Sequence, residues 1–278
     1  MKTFFTHTLA IASLLSGTTL SVSPAQAASF SWGQWTSPSS LQVKSKTTDQ
    51  TGFQALMPEF QKFVQLENQV LNNPETYAVD PTKLTLTVDS AVRVYFLNEG
   101  ASYKNQLAYD GTTSSSYQAK LIFNNVSAYD SLKPNPEGPL TIGDYVDLGV
   151  MQGGTKLNFW IRTNGYNGGA NVYGSSATLN PDQLEHMVSY VYKDYLILGF
   201  EDLYGPKGLF GGKNEGSDRD FNDVLFVVDI GKTNILNLTV LPQSALKQSV
   251  PEATLGSFGW GAIGLLLFKK QRKPVNKV

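Results

Sequence analysis

Apolar positions in residues 53–71 recur at steps of three and four residues. This is the period of an amphipathic helix, and Asn73-Pro74 directly after it is a strong helix stop. The apolar positions are Phe53, Leu56, Met57, Phe60, Phe63, Val64, Val70 and Leu71. We therefore predict one N-terminal amphipathic helix packed against a sheet, with a partner-binding helix as the alternative.

From Pro81 onward the period falls to two, which is typical of β-strands. Leu84, Leu86 and Val88 alternate with threonine, and positions 92, 94 and 96 continue the pattern. Further strands are predicted over 116–123, 145–151, 156–162, 186–192, 195–200, 224–230 and 234–241. Turn sequences rich in Gly, Pro and Asn separate them. Many short strands predict a mainly β fold, an antiparallel β-sandwich or jelly roll.

The first 27 residues have the form of a secretory signal peptide. Lys2 gives a positive start, residues 4–20 are mostly apolar, and Ala25-Gln26-Ala27 has the small-x-small pattern that signal peptidase cleaves. Threonine and other small residues dilute the apolar stretch, which argues against a permanent anchor at this end. We predict an exported chain.

The other end carries a second apolar stretch. Residues 253–268 are an uncharged run, followed by four basic residues between 269 and 273. As a helix this run spans roughly 24 Å, less than a ~30 Å hydrocarbon core, and the basic residues would hold its end in the cytoplasm. Val250-Pro251-Glu252 stands directly before it. The three parts resemble the PEP-CTERM sorting tail of bacteria, except that Ala253 replaces the usual second proline. The resemblance implies membrane association before processing by an exosortase-like enzyme.

Charge and cysteine content narrow the function classes. Of the 22 Lys and Arg, six lie in residues 1–27 and 251–278, as does one of the 23 Asp and Glu, so the segment between them carries a formal charge of about −6. That balance argues against nucleic acid as a partner. The chain has no cysteine, which excludes disulfides, thiolate metal sites and Cys nucleophiles.

Acidic residues concentrate in one segment. Only 16% of all residues are charged, yet six acids and Asn222 lie within 201–223. The acids are Glu201, Asp202, Glu215, Asp218, Asp220 and Asp223. Predicted strands flank them on both sides, and Gly211-Gly212 lies in the loop between. We expect these two strands to form a hairpin with carboxylates gathered at one mouth.

Carboxylate and amide oxygens are the ligands of the hard cation Ca²⁺, which takes roughly 6–8 of them. If residues 218–223 are extended, Asp218, Asp220 and Asn222 project to one side and Asp223 to the other. The D-x-D-x-N spacing resembles the start of an EF-hand loop, but Asp223 stands where that loop needs Gly. We predict a calcium site between two strands instead, with hydrogen-bonded loop ends or catalytic carboxylates as alternatives. Its proposed ligands are Asp218, Asp220, Asn222, Asp223, Glu201 and Asp202.

Three blocks resemble one bacterial family. They are NEGASYKNQL at 98–107, residues 142–160, and GFED at 199–202 joined to DRDFNDV at 218–224. In this order they are similar to the bacterial domain-of-unknown-function family 4114, over roughly residues 90–230. The resemblance implies a secreted or surface β-sandwich with a calcium site and no known reaction. By family position it adds Glu99 as a further metal ligand.

Catalysis has little support in the sequence. His186 is the one histidine in residues 28–250 and lies in a predicted apolar strand, which favours a satisfied core or surface residue over a general base. Paired carboxylates hydrolyse glycosidic bonds in some enzymes, and Glu201 with Asp220 is the least unfavourable pair. Six aromatic residues are candidates for a sugar-binding face. They are Tyr103, Tyr109, Tyr117, Trp160, Tyr166 and Tyr173.

The sequence thus predicts five parts. They are a signal peptide (1–27), a Ser/Thr-rich segment with the helix (28–80), a β-sandwich domain (81–240), a linker with the sorting motif (241–252) and a hydrophobic tail with a basic end (253–278). We expect a non-catalytic protein of the cell surface or extracellular matrix with bound calcium and a role in adhesion or structure. Extracellular polysaccharide or surface proteins are its expected partners. A carbohydrate-binding module or a carboxylate-dependent glycan hydrolase is the alternative.

Overall fold

The computed structural model describes residues 30–35, 41–64, 76–131, 133 and 136–239. The predicted signal peptide, the sorting motif and the hydrophobic tail lie outside the described residues. Within those ranges, no helix has the length and apolar character needed to cross a membrane.

Antiparallel strands dominate the described residues, as the period-two pattern predicts. The strands are β1 Thr76–Ala78, β2 Ser90–Asn98, β3 Gln106–Thr112, β4 Tyr117–Phe123, β5 Tyr145–Met151, β6 Lys156–Arg162, β7 Val172–Gly174, β8 Met187–Tyr192, β9 Tyr195–Phe200, β10 Phe210–Gly211, β11 Asn214–Glu215 and β12 Val224–Asp229. A large sheet has the order β1-β8-β9-β12-β2-β5, and a small sheet has the order β4-β3-β6-β7. The prediction of a mainly β, antiparallel fold is confirmed.

Buried side chains of both sheets meet in one hydrophobic core. Alternate residues of β2, β9 and β12 and of β3 and β6 contribute to it. Phe159 of β6 and Phe226 of β12 contact each other across it, with ring centroids 5.3 Å apart. The opposite face of the large sheet is covered by the N-terminal helical segment, whose Phe53 and Phe60 are fully buried against Tyr95 and Tyr195.

The predicted helix is present and packs on the sheet, but it begins differently. Residues Phe53–Leu56 form a 3₁₀ turn, and α1 spans Met57–Val64. Residues 65–71 of the predicted helix lie outside the described part. The 3₁₀ turn follows Gly52, whose φ of 84° directs the chain into the turn.

One predicted strand, over 234–241, is wrong, because residues 232–239 are helical as far as they are described. Asn234 explains the difference, since its Oδ1 accepts from the backbone N–H groups of Thr87 and Val88 and its Nδ2 donates to the carbonyl of Ile230. Ile235 and Leu238, three residues apart, then face the core. The strand predicted over residues 84–88 is also absent: Thr85 makes an isolated bridge to Lys156, and Leu84 and Leu86 exchange backbone hydrogen bonds with residues 154–157.

In the described part of the chain, five strands lie outside the predicted ones, namely β1, β3, β7, β10 and β11. Two of them, β3 and β7, belong to the small sheet. β3 (QLAYDGT) is buried along most of its length, so polar and apolar side chains do not alternate in it. β7 is only three residues long and follows a Gly- and Asn-rich turn. Their pairing with β6 depends on contacts between distant parts of the chain.

Candidate metal site

Strand pairing brings the acidic residues together. β9 and β12 are antiparallel neighbours in the large sheet, with Phe200 opposite Val224. Glu201-Asp202 directly follows β9, and residues 218–223 directly precede β12. The backbone N–H of Asp223 donates to the carbonyl of Phe200 at 3.1 Å, which extends the ladder into the acidic segment. The acids therefore lie together at one end of the β9–β12 strand pair.

Five carboxylates form two overlapping groups, which we call the carboxylate cluster. Glu201, Asp202 and Asp223 each place an oxygen within 4.8 Å of the others, and so do Glu201, Asp218 and Asp220. Glu201 belongs to both groups and is fully buried, while Asp202 is 2% exposed. A single ion beside Glu201 would therefore have acids on both sides.

The segment 218–223 is not extended, so the expected alternation of its side chains is wrong. Arg219 and Phe221 adopt left-handed conformations with φ of 56° and 60°, which is uncommon for residues other than glycine. Asp220 accepts from the backbone N–H of Asn222 at 3.1 Å and from its side-chain Nδ2 at 2.6 Å. The loop thereby turns Asp218 and Asp220 toward Glu201 and places Asp223 beside Asp202.

The spacing predicts that the side chain of Asn222 lies beside those of Asp218 and Asp220 as a metal ligand, but its amide is bonded within the loop. Its amide is engaged with Asp220, and its carbonyl accepts from the backbone N–H of Gly100 at 3.1 Å. A Cβ at position 100 would lie against Asn222 Oδ1, so a larger residue there would have to displace this side chain. Asn222 holds the loop against the end of β2.

Glu99 lies outside both carboxylate groups. Its buried Oε1 is 2.7 Å from the Nζ of Lys133 and accepts from the hydroxyl of Ser131 at 3.2 Å. Lys133 pairs with Oε1, whereas Oε2 of Glu99 is buried without a hydrogen-bond partner among the described residues. Burial raises the pKa of this carboxyl group despite the lysine. The geometry does not bring this residue to the other proposed ligands.

Burial and mutual repulsion shift Asp202, Asp223 and Glu201 toward their protonated forms. Burial, with the charges of Glu201 and Glu215 as further causes, raises the pKa of Asp202 to about 7, although the amide of Asn105 opposes the shift. Burial and the neighbouring charges of Asp202 and Glu201 also raise the pKa of Asp223 well above its usual range. Burial raises the pKa of Glu201, against the hydroxyl of Ser217.

Compensation by cations is incomplete in this region. Among the described residues, no Lys, Arg or His side chain lies within 4.0 Å of Glu201, Asp202 or Asp223 as an ion-pair partner. The guanidinium of Arg219 lowers the pKa of Glu201 only as a minor cause, and its Nη2 donates to the carbonyl of Glu185. Glu201 Oε2 is buried without a hydrogen-bond partner in this part of the chain. A buried carboxylate oxygen in this state is costly unless something binds it.

Sequence reasoning missed the residues that position the cluster. The Nδ2 of Asn105 donates to Asp202 Oδ2 at 2.7 Å. His186 is fully buried and lies between the carbonyl of Glu201 at 2.8 Å and Asp182 Oδ2 at 2.9 Å, with its ring stacked on Tyr173. The expectation that His186 is a satisfied core residue agrees with these contacts. Asn105 carries no local signal, since its partner is 97 positions away.

Comparison with known families agrees with the resemblance over part of its length. A family model described as "Domain of unknown function (DUF4114)" matches residues 151–231. The match is shorter than the predicted 90–230 and leaves out Glu99. No curated protein and no solved structure matches the chain. The whole carboxylate cluster therefore falls within the segment that is similar to this domain family.

Proposed function

We propose that the chain is an exported, non-catalytic β-sandwich module whose carboxylate cluster binds one Ca²⁺ ion. The observation that carries the proposal is Glu201, which is fully buried, shared by both carboxylate groups and left with an unpartnered Oε2. A bound cation would neutralise the repulsion that raises the pKa of Asp202 and Asp223.

Oxygen-only chemistry favours calcium over other metals. Both groups consist of carboxylates alone, and hard cations prefer such ligands, whereas zinc and copper favour imidazole or thiolate. Calcium accepts irregular ligand geometry and roughly 6–8 oxygens, while Mg²⁺ needs a near-ideal octahedron. Five carboxylates on two chain segments suit the larger and more tolerant ion.

The burial of Glu201 supports a non-catalytic role. In a glycosidase, one carboxyl group must reach the glycosidic oxygen and the other the sugar carbon or a water. Glu201 is 0% exposed. Turnover of a polysaccharide that is lost in Asp220→Ala with intact folding would instead assign the cluster to a hydrolase.

The two-sheet core supports the sandwich, and the termini support export. Two antiparallel sheets that share one core form the layered arrangement of a β-sandwich. We propose delivery by the signal peptide and handling of the tail by an exosortase-like enzyme, with the mature protein at the cell surface or in the matrix. Deleting residues 1–27 should retain the chain inside the cell, and equal export of both forms would reject this part.

Thermal unfolding tests the metal proposal. The full chain should melt at higher temperature in millimolar CaCl₂ than in EDTA. The shift should be about 5–10 °C for a hundredfold excess over the dissociation constant, and MgCl₂ should give a smaller one. The double variant Asp218→Asn, Asp220→Asn should lose most of the calcium shift while its melting temperature in EDTA stays equal or rises slightly. Equal losses with and without calcium would show that these two acids stabilise the fold by other means.

A further inference from the structure

Three of the four tryptophans in the chain belong to a separate aromatic cluster. Trp32 and Trp35 lie edge to face, 5.5 Å apart, and Phe30 contacts both. Phe30 also stacks on Trp160 of β6, with ring centroids 4.5 Å apart and planes only 5° from parallel. Residues 30–35 thus lie over the outer face of the small sheet, on the side away from the core.

The small sheet is built to hold this stack. Trp160 pairs with Gly174 of β7, and a Cβ at position 174 would collide with its ring. The ring therefore lies flat between Gly174 and Phe30. Its Nε1 donates to Asp110 Oδ2 at 2.6 Å, and the Nδ2 of Asn158 donates to Asp110 Oδ1 at 2.9 Å. The first contact fixes the orientation of the ring, and the second holds the buried carboxylate of Asp110 in place.

A groove of about 510 Å³ opens beside the stack. One side is aromatic, with Phe30 and Trp32. The strands contribute polar side chains on the same outer face, among them Thr112, Lys156 and Asn158. This volume lies in the range of small-molecule sites, which is about 300–1,000 Å³. The combination of an aromatic surface with a few polar groups is also typical of such sites.

We propose that this groove binds a neutral oligosaccharide. A sugar ring has a face of C–H groups, which packs on aromatic rings, and an edge of hydroxyls, which need donors and acceptors. Phe30 and Trp32 offer the first surface, while Asn158, Thr112 and Lys156 offer the second. An apolar peptide would leave these polar groups without partners, at a cost in affinity. The site uses none of the residues of the carboxylate cluster and does not rest on calcium binding.

Binding of the full chain to an array of neutral hexasaccharides of glucose, galactose, mannose and N-acetylglucosamine tests the proposal. We expect binding to at least one of these glycans. The variant Trp32→Ala should bind that glycan about tenfold more weakly, because one ring contact is lost. Asn158→Ala should weaken it as well, and both variants should keep the melting temperature of the wild type within a few degrees.

Phe210→Ala is the matched control, since Phe210 is an exposed aromatic residue in β10 that does not line the groove. It should bind as the wild type does. The proposal is overturned if no neutral glycan binds, if only uronic-acid oligosaccharides bind, or if Trp32→Ala and Phe210→Ala behave alike. The array is measured once with calcium and once with EDTA. Glycan binding by a folded chain that does not respond to calcium would support this site and reject the metal proposal, so the two proposals can fail separately.

Discussion

Two clusters of acids at different ends of the large sheet, each with buried members, have opposite electrostatics. In the first, Arg93 donates from Nη1 to Asp49 at 2.7 Å and from Nε to Asp147 at 2.6 Å, and Lys44 contacts Asp147 at 2.7 Å. We call this the arginine-centred cluster. The second is the carboxylate cluster, where Glu201, Asp202 and Asp223 have no such ion pair among the described residues.

The pKa shifts follow the partners. Burial acts to raise the pKa of Asp147, but hydrogen bonds from Arg93 and Lys44 outweigh it and the net shift is downward. The pKa of Asp49 is lowered in the same way, by hydrogen bonds from Thr51 and Gln54 and the charge of Arg93. For Asp202 and Asp223 of the carboxylate cluster burial dominates, and the pKa shift is upward. The acids of the arginine-centred cluster are balanced by cations of the protein itself. The buried acids of the carboxylate cluster need a proton or a bound cation to balance their charge.

Removing the central arginine should have the largest effect and should be independent of calcium. Arg93→Met leaves Asp49, whose side chain is 0% exposed, without its cation. We expect a loss of about 3 kcal/mol in the free energy of unfolding, as for other broken buried pairs. Urea unfolding with and without CaCl₂ measures it. Lys83→Met is the control, because its ion pair with Asp80 is exposed and is worth under about 1 kcal/mol.

Neutralising two acids of the carboxylate cluster should stabilise the calcium-free protein, whereas removing Arg93 should destabilise it. In Asp202→Asn, Asp223→Asn the amide oxygens can still accept from Asn105 and from the backbone N–H of residue 202, while two buried charges disappear. We expect the calcium-free protein to gain roughly 2 kcal/mol at pH 8 and to lose its response to CaCl₂. If the double variant is less stable than the wild type in EDTA, the charges of Asp202 and Asp223 stabilise the fold, and the contrast between the two clusters is wrong.

The pH dependence should separate the clusters further. Asp202 has a folded pKa of about 7 against an ordinary value near 4. The folded state therefore binds more protons than the unfolded state between these values, and its stability falls as the pH rises through them. Asp49 and Asp147, with lowered pKa values, contribute stability above their ordinary pKa that is lost as the pH falls.

Melting temperatures in EDTA from pH 5 to pH 8 check this sign. The wild type should lose a few degrees over the range, and the double amide variant should lose less. A wild-type melting temperature that rises from pH 5 to pH 8 would contradict the upward shifts.

The smallest effect is expected at the edge of the arginine-centred cluster. Lys44 is 43% exposed and contacts an Asp147 that Arg93 already holds. Lys44→Met should leave the midpoint of urea unfolding close to that of the wild type, because an exposed ion pair contributes little. A loss as large as that of Arg93→Met would show that the two cations act as one unit.

The sequence predicts local features well and long-range ones poorly. Strands β5, β6 and β9 have their predicted bounds because their side chains alternate or form short apolar runs between turns. The segment from 234 is predicted as a strand, whereas residues 232–239 are helical and Asn234 is bonded to residues 87 and 88, a long-range contact that the local sequence does not reveal. At the candidate site, the pairing of β9 with β12 follows from two apolar strands that flank the acids. The left-handed residues Arg219 and Phe221, and the amide of Asn105, have no signal in the local sequence.

Isothermal titration of the full chain with CaCl₂, for wild type and Glu201→Gln, tests the central claim most directly. The glutamine keeps the acceptor for the N–H of Leu203 and removes only the buried charge that both carboxylate groups share. We predict that the wild type binds one calcium ion per chain and that Glu201→Gln gives no binding heat while remaining folded. No heat from the folded wild type, or the same binding in both proteins, would contradict the account.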